Sequence, residues 1–377
     1  MTSRTPANNV ALPHREKMVF ALLGLSWLAI AGLVGLDTGG HGVSLLALGT
    51  ALGAVFLSFQ YGFASGWRNF IVTGKTMGLA AHFLLAALCA LIFIPADLWG
   101  LTAAGSLAPI SVSLFIGAFA FGIGMQLANG CGSGVLFSFG GGSGRMLVAL
   151  PFFVLGSVIG SLILPGMLAL GQLPPVQIGA ELGSVERTGV NLALLGSVSF
   201  CFWHVGYRRG EKMPYRLMLA TGVIACLCWV VFALSGHPWG VTFGFTLWGA
   251  KLAMAAGFDL SAHAFWQWPG PARALAHSVL ADTSSLTDIG MLIGAGLWAS
   301  FAGSLRAQTW PNRKQLMAAA IGGLFMGVGA RLAFGCNIGA FLAGTASGSL
   351  HGWIWFAMAL AGSWVGVRAR PHFGFEG

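Results

Sequence analysis

The feature that most constrains this chain is the recurrence of apolar runs of about 18–20 residues along its whole length, each long enough to cross a bilayer as a helix. Eleven such segments can be marked, at roughly 18–36, 42–61, 78–95, 110–128, 146–170, 190–206, 215–234, 240–256, 286–304, 317–334 and 351–368. Lipid offers no partner for backbone N–H and C=O groups, so spanning pieces must be helices or a closed barrel. The runs are continuous rather than alternating, which excludes the barrel. Composition agrees: of 377 residues 56% are hydrophobic and 8% charged, with mean hydropathy +0.81, against about 25% charged in soluble domains. The expected fold is an all-α integral membrane protein. The polar stretch before residue 18 and the length of the first run read as an uncleaved first helix rather than a signal peptide.

An internal repeat organises the chain. Laying Cys131 over Cys336 matches "FGIGMQLANGCGSGVLFSFGGGSGRM" (121–146) with "MGVGARLAFGCNIGAFLAGTASGSLH" (326–351). Seven of thirteen positions are identical between Gly122–Gly134 and Gly327–Gly339. A weaker echo joins "QYGFASGWRNF" (60–70) to "AAGFDLSAHAF" (255–265). The division is an extra N-terminal helix (1–39), a first half (40–170), a connector (171–235) and a second half (236–370), all in one polytopic domain. Repeats of this kind are often inverted across the membrane.

Charge placement tests the inversion. The net charge is +9, and basic residues cluster in loops, as the positive-inside rule expects. Arg15, Lys17, Arg68, Lys75, Arg145, "YRRGEK" (207–212), "RKQ" (313–315), Arg368 and Arg370 all fall on one side if one segment between 215 and 256 fails to cross. The first candidate is 240–256, interrupted by Lys251. About ten crossings result (nine to eleven), with both termini inside. The Cys131 break then enters from the inside and the Cys336 break from the outside. No soluble basic face exists, which argues against nucleic acid as a partner.

The two breaks carry the chemistry. "ANGCGSG" and "FGCNIG" place glycines that spoil a helix at membrane depth, where irregular backbone is tolerated only when buried or lining a watery cavity. The short runs after them read as re-entrant half-helices whose N-termini aim N–H groups at one central spot, a site for an anion. Gly130, Gly132 and Gly335 give the bends, and Asn129 and Asn337 are candidate amide ligands. A thiol is a soft, weak donor, suited to a sulfur-bearing ion. A buried thiol stays protonated, so S–H contacts are favoured over covalent chemistry. Arg331, within an apolar run, and its repeat partner Gln126 are candidate path residues. Arg145 and Lys251 either attract the anion or snorkel to an interface. The blander alternative is that glycine breaks serve close helix packing, with cysteine as filler.

Cys89, Cys201, Cys226 and Cys228 lie inside apolar runs as small hydrophobes. No CxxC and no zinc spacing is present, and neither a metal nor a cofactor is expected. His82, His204, His237, His263, His277 and His351 are scattered, with packing roles. Trp67, Trp266 and Trp268 read as interface aromatics. Asp282 and Asp288 read as capping or interface groups rather than proton carriers.

"GMQLANGCGSG", "FGGGSGR", "GARLAFGCNIGAFLAGTASGSLHGW" and "GSWVGVRARP" resemble the YeeE/YedE family of bacterial sulfur-compound transporters, over nearly all of the chain after about residue 40. The resemblance implies uptake of thiosulfate, or a related sulfur oxyanion, across the inner membrane for cysteine synthesis. It implies two inverted halves, four loops pinching a narrow path, and passage of the ion along cysteine S–H groups. A cytoplasmic sulfur-handling partner is consistent with the family. Cys131 and Cys336 match two of the family's cysteines. The third belongs to a "GFC" loop; here "YGFASGW" places Ala64 at that position, with Ser65 next to it as a substitute donor. Sulfite or a selenium analogue therefore stands beside thiosulfate as a substrate. Two other classes compete: a membrane thiol-redox enzyme using Cys131 and Cys336, and an unspecific small-solute channel. The expectation is a transporter, not an enzyme.

Overall fold

The computed structural model describes residues 14–305 and 310–375. The first two apolar segments form one helix, α1 (His14–Phe59), broken at Gly39, whose φ of 68° and ψ of −160° leave the helical region. The chain folds back there. Trp27 Nε1 on the first arm donates to Thr50 Oγ1 on the second at 2.9 Å. The short α2 (Phe63–Thr73) and the apolar α3 (Met77–Phe93) follow. Next come β1 (Ile110–Ser111), α4 (Val112–Ala128), the short α5 (Gly132–Gly140), α6 (Gly144–Ala169) and β2 (Gln172–Leu173), the two strands pairing antiparallel. The connector supplies α7 (Ser184–Arg208) and α8 (Tyr215–Ser235). The last third holds α9 (Thr242–Ala255), α10 (Pro269–Ala276), α11 (Thr283–Phe301) and α12 (Arg313–Leu332). A π-helix (Asn337–Leu342) then runs into α13 (Ala343–Ala346), and α14 (Leu350–Ala369) closes the fold.

Among the described residues, seven helical stretches are long and apolar enough to cross a membrane; α3, with 17 residues, is shorter but apolar. Leu22, Leu25, Leu28, Leu33 and Leu36 point outward from the first arm of α1, a greasy face suited to lipid and costly in water. This is a multi-pass membrane protein. α9 has 14 residues, about 21 Å at the helical rise, short of a hydrocarbon core of about 30 Å. It is the segment singled out above as the first candidate not to cross.

Four helices make the centre, and their directions follow from which backbones touch. Glycines let them approach closely, as small residues do between membrane helices. A Cβ at Gly124 would stand 2.5 Å from the Gly322 carbonyl oxygen, and one at Gly329 the same distance from that of Gly117. The pairs run in opposite order, so α4 and α12 are antiparallel. Gly362 abuts Phe119 and Gly366 abuts Ile123, so α14 runs parallel to α4. Gly156 abuts Leu324 and Gly160 abuts Val328, so α6 runs parallel to α12. With Cys131 laid on Cys336, Leu324 and Val328 take the places of Phe119 and Ile123. The two parallel pairs are therefore counterparts.

Gly362 offers a direct check on this packing. A Cβ there would collide with the Phe119 carbonyl, backbone that cannot swing away. Gly362→Val is expected to cost about 1–3 kcal/mol, the usual penalty for overpacking, and to lower the melting midpoint in detergent. Gly24→Ala, with nothing within 4 Å, should leave the midpoint unchanged.

Hydrogen bonds tie the two ends of the bundle. At one end Arg209 bonds Gly74 O (3.0 Å), Arg216 bonds Ser58 O (2.9 Å) and Gln315 bonds Gly374 O (3.3 Å). At the other, Ala104 N bonds Gly236 O and Ile178 N bonds Gly348 O. There too Ser184 donates to Asp97 at 2.7 Å, which holds that exposed carboxyl below its ordinary range.

Candidate functional site

Each cysteine stands at the entrance of a short helix. Asn129 ends α4 in the left-handed conformation (φ 65°), the chain turns through Gly130, and Cys131 is the N-cap of α5. Phe334 (φ 61°) and Gly335 (φ 152°) make the matching turn after α12, and Cys336 is the N-cap of the π-helix. π-Helical turns occur often at functional sites. Neither cysteine side chain caps its helix, so the thiols are not spent on that role. Cys131 Sγ lies 3.4 Å from Ser133 Oγ. The Gly335 carbonyl is held by Trp355 Nε1 at 3.2 Å, which fixes the second turn against α14.

The two breaks meet. A Cβ added to Gly132 would lie 2.9 Å from Cys336 Sγ and 3.5 Å from Thr242 Cγ2. The start of α5, the start of the π-helix and the start of α9 thus converge on one point. Cys131 and Cys336 are both buried free thiols. Asn337 is fully buried, and neither its Oδ1 nor its Nδ2 has a hydrogen-bond partner.

Cavities open at each end of the bundle. One, of about 530 Å³, is lined by Ser65, Lys75, His82, Arg209 and Lys212. The other, of about 670 Å³, is lined by His237, Phe243, Arg273, His277 and Asp282. Gly240 lines the second and packs on Gly339, three residues past Cys336. Gly62, Ser65 and Gly66 line the first. Ala64, within that turn, is buried, and its carbonyl accepts a bond from Gln126 Nε2 at 3.3 Å. Ser65 Oγ donates to Gly62 O at 3.0 Å.

The cations divide. Arg68 Nη1 donates to Asn129 Oδ1 at 2.5 Å, and Arg370 Nη1 donates to Gln126 O at 2.7 Å and to Asn129 Oδ1 at 3.4 Å. Arg145 and Arg370 both lie over the Phe375 ring, at 4.6 and 4.4 Å. Three arginines therefore gather just beyond Cys131. The sequence pointed to Arg145, Gln126 and Asn129 but missed Arg68 and Arg370 as members of this group; the position of Arg370 in "GSWVGVRARP" was the available signal. Arg331 is enclosed, its guanidinium over Phe243 (5.8 Å) and Phe265 (5.5 Å). Lys251 Nζ donates to Leu275 O at 2.5 Å, in the last turn of α10. Trp67 and Trp266 are buried rather than interfacial: Trp67 packs on Phe341, Trp355 and Phe356. Among the described residues no cluster of His, Cys, Asp or Glu could hold a metal.

Residues 60–365 match the family described as sulphur transport. The chain belongs to the YeeE/YedE sulphur-transport family. The protein is a membrane transporter, not an enzyme. It is 28% identical over 274 residues to the thiosulfate transporter TsuA of Spirochaeta thermophila, covering 67% of this chain and 76% of that protein. It is 34% identical over 156 residues to the probable transporter YedE of Escherichia coli, covering 41% and 37%. The thiosulfate transporter TsuA of Escherichia coli is 23% identical over 360 residues, covering 88% and 96%.

Proposed function

We propose that this protein brings thiosulfate, or a closely related sulfur oxyanion, across the bacterial inner membrane through the point where the two cysteine breaks meet. The observation that carries the reading is the approach of Gly132 to Cys336 Sγ. It sets two thiols and the starts of three helical pieces around one small volume. Helix starts present unpaired N–H groups and partial positive charge. The thiols add soft donors that favour a terminal sulfur over a hard oxygen. Gly130, Gly132 and Gly335 keep the backbone close to the ion, and Asn337 offers an unused amide. Arg68, Arg145 and Arg370 give the Cys131 side a positive approach, with Asn129 and Gln126 fixing two of them. Arg331 lends charge from behind the aromatic pair, and Lys251 braces α10.

In this reading residues 40–170 and 236–370 are inverted halves. The crossings are the two arms of α1, then α3, α4, α6, α7, α8, α11, α12 and α14. The start of α1 and the end of α14 then share the face that carries Arg145, Arg209 and Arg370, and positive-inside logic puts that face in the cytoplasm; the terminal residues beyond them lie outside the described residues. A sulfur-handling protein docks there. Two thiols suffice for passage, since Ala64 supplies none and the Ser65 hydroxyl is engaged by Gly62.

The test is uptake of radiolabelled thiosulfate by the purified protein in liposomes, without ATP. Uptake well above protein-free liposomes, blocked by excess cold thiosulfate and less by sulfate, is the expected result. Equal passage of an uncharged solute would favour an open channel. A reversible Cys131–Cys336 disulfide trapped in membranes would favour redox chemistry.

A further inference from the structure

Asp288 does not behave as an interface group. It lies a turn and a half inside α11, is fully buried, and neither carboxyl oxygen has a hydrogen-bond partner. Asp282 is the cap: its Oδ2 accepts the Ser285 N–H at 2.8 Å. Asp282, Thr283 and Ser284 help line the larger cavity. Gly244 packs against both Asp288 and Ser284: a Cβ there would lie 2.6 Å from Asp288 Oδ2 and 3.4 Å from the Ser284 carbonyl carbon. Asp288 itself does not line that cavity: it lies against bare Gly244 backbone, one turn of α11 past the cavity-lining Ser284. Thr242, two residues earlier in the first turn of α9, touches the Gly132–Cys336 junction. One helical turn therefore separates a buried acid from the proposed anion point.

We infer that Asp288 takes up a proton from the larger cavity and carries it inward with each anion, so that the protein is a proton–sulfur-oxyanion symporter; this rests on the function proposed above. The physical reason is exclusion. An isolated carboxylate in apolar surroundings is costly, and a second negative charge close to it raises that cost through like-charge repulsion. The anion can occupy the junction only while Asp288 is a neutral acid. Thiosulfate remains a dianion near neutral pH and cannot bring the proton itself. The cycle balances: Asp288 carboxylate plus one proton from the outer cavity gives the acid, the anion passes, and the acid releases that proton to the inner side, regenerating the carboxylate.

The other charged or titratable groups about this place are few. Asp282, His237, Arg273 and His277 line the cavity. The Cys336 and Cys131 thiols lie toward the junction, and Lys251 on α9 is engaged by Leu275 O. On the side of α1, Leu46, Gly49, Thr50 and Gly53 pack against α11, and none titrates.

The test uses full-length protein in liposomes holding a trapped pH dye, with the membrane voltage clamped to zero. External thiosulfate should acidify the lumen with the wild type and not with protein-free liposomes. Wild-type uptake should fall with rising pH, approaching tenfold per pH unit once the acid is mostly ionised. Asp288→Asn should take up thiosulfate with no acidification and lose the pH dependence, while Asp288→Glu keeps both. Wild-type uptake without acidification would overturn the coupling, even where Asp288→Asn failed to fold, and leave the transport reading standing. Acidification by a folded Asp288→Asn equal to the wild type would overturn the assignment to Asp288. Failure of the wild type to take up thiosulfate would instead contradict the function itself.

Discussion

Replacing Cys336 with alanine is expected to reduce thiosulfate uptake about ten- to a hundredfold without unfolding the protein. The thiol is fully buried at the head of the π-helix and makes no cap bond there, so its loss leaves the helix start intact. What disappears is a donor to a charged acceptor, worth about 1.5–3 kcal/mol when made, and each 1.4 kcal/mol is about tenfold. Cys336→Ser keeps a donor but loses the soft surface, and should fall between. Cys131→Ala should act in the same direction and more mildly, because Ser133 Oγ, 3.4 Å away, leaves a second donor nearby. Initial uptake rates, with elution volume as the folding control, decide the order.

Gly132→Val should have the second large effect, at least about a tenfold loss. Its Cβ would press on Cys336 Sγ at 2.9 Å and on Thr242 at 3.5 Å, and the two γ-methyls would occupy the volume assigned to the ion. Overpacking at such a site costs about 1–3 kcal/mol when the neighbours cannot give way. Gly222→Val, on α8 and away from the junction, is the matched control, since nothing lies within 4 Å of a Cβ there. Normal uptake by Gly132→Val would mean that the ion does not pass this junction.

Much of the fold was legible because hydropathy reads lipid contact directly. Each of the eleven apolar segments corresponds to a helix or to one arm of α1, and Lys251 flagged the short α9. The cysteine breaks were legible because glycine beside a polar residue inside an apolar run has few explanations at membrane depth. The side-chain faces were less legible. Trp67 and Trp266 carry the composition of interface aromatics, yet α2 and the 264–267 turn dip inward and bury them. Arg370 meets Gln126 across 244 residues of chain, a pairing no local pattern reveals. Asp288 reads as a helix-start acid by its distance from Asp282. Only the packing of α9 on α11 shows that it is shut away from any partner. The apolar run after Cys336 reads as a re-entrant half-helix, but its π-helical width is not legible in the pattern: Cys336 O accepts from both Ala340 N (2.9 Å) and Phe341 N (3.3 Å).

The most direct measurement is thiosulfate uptake by the Cys131→Ala/Cys336→Ala double variant in liposomes, compared with the wild type at equal, monodisperse protein. The thiol-lined junction predicts uptake at the level of protein-free liposomes. Uptake at the wild-type rate would contradict it.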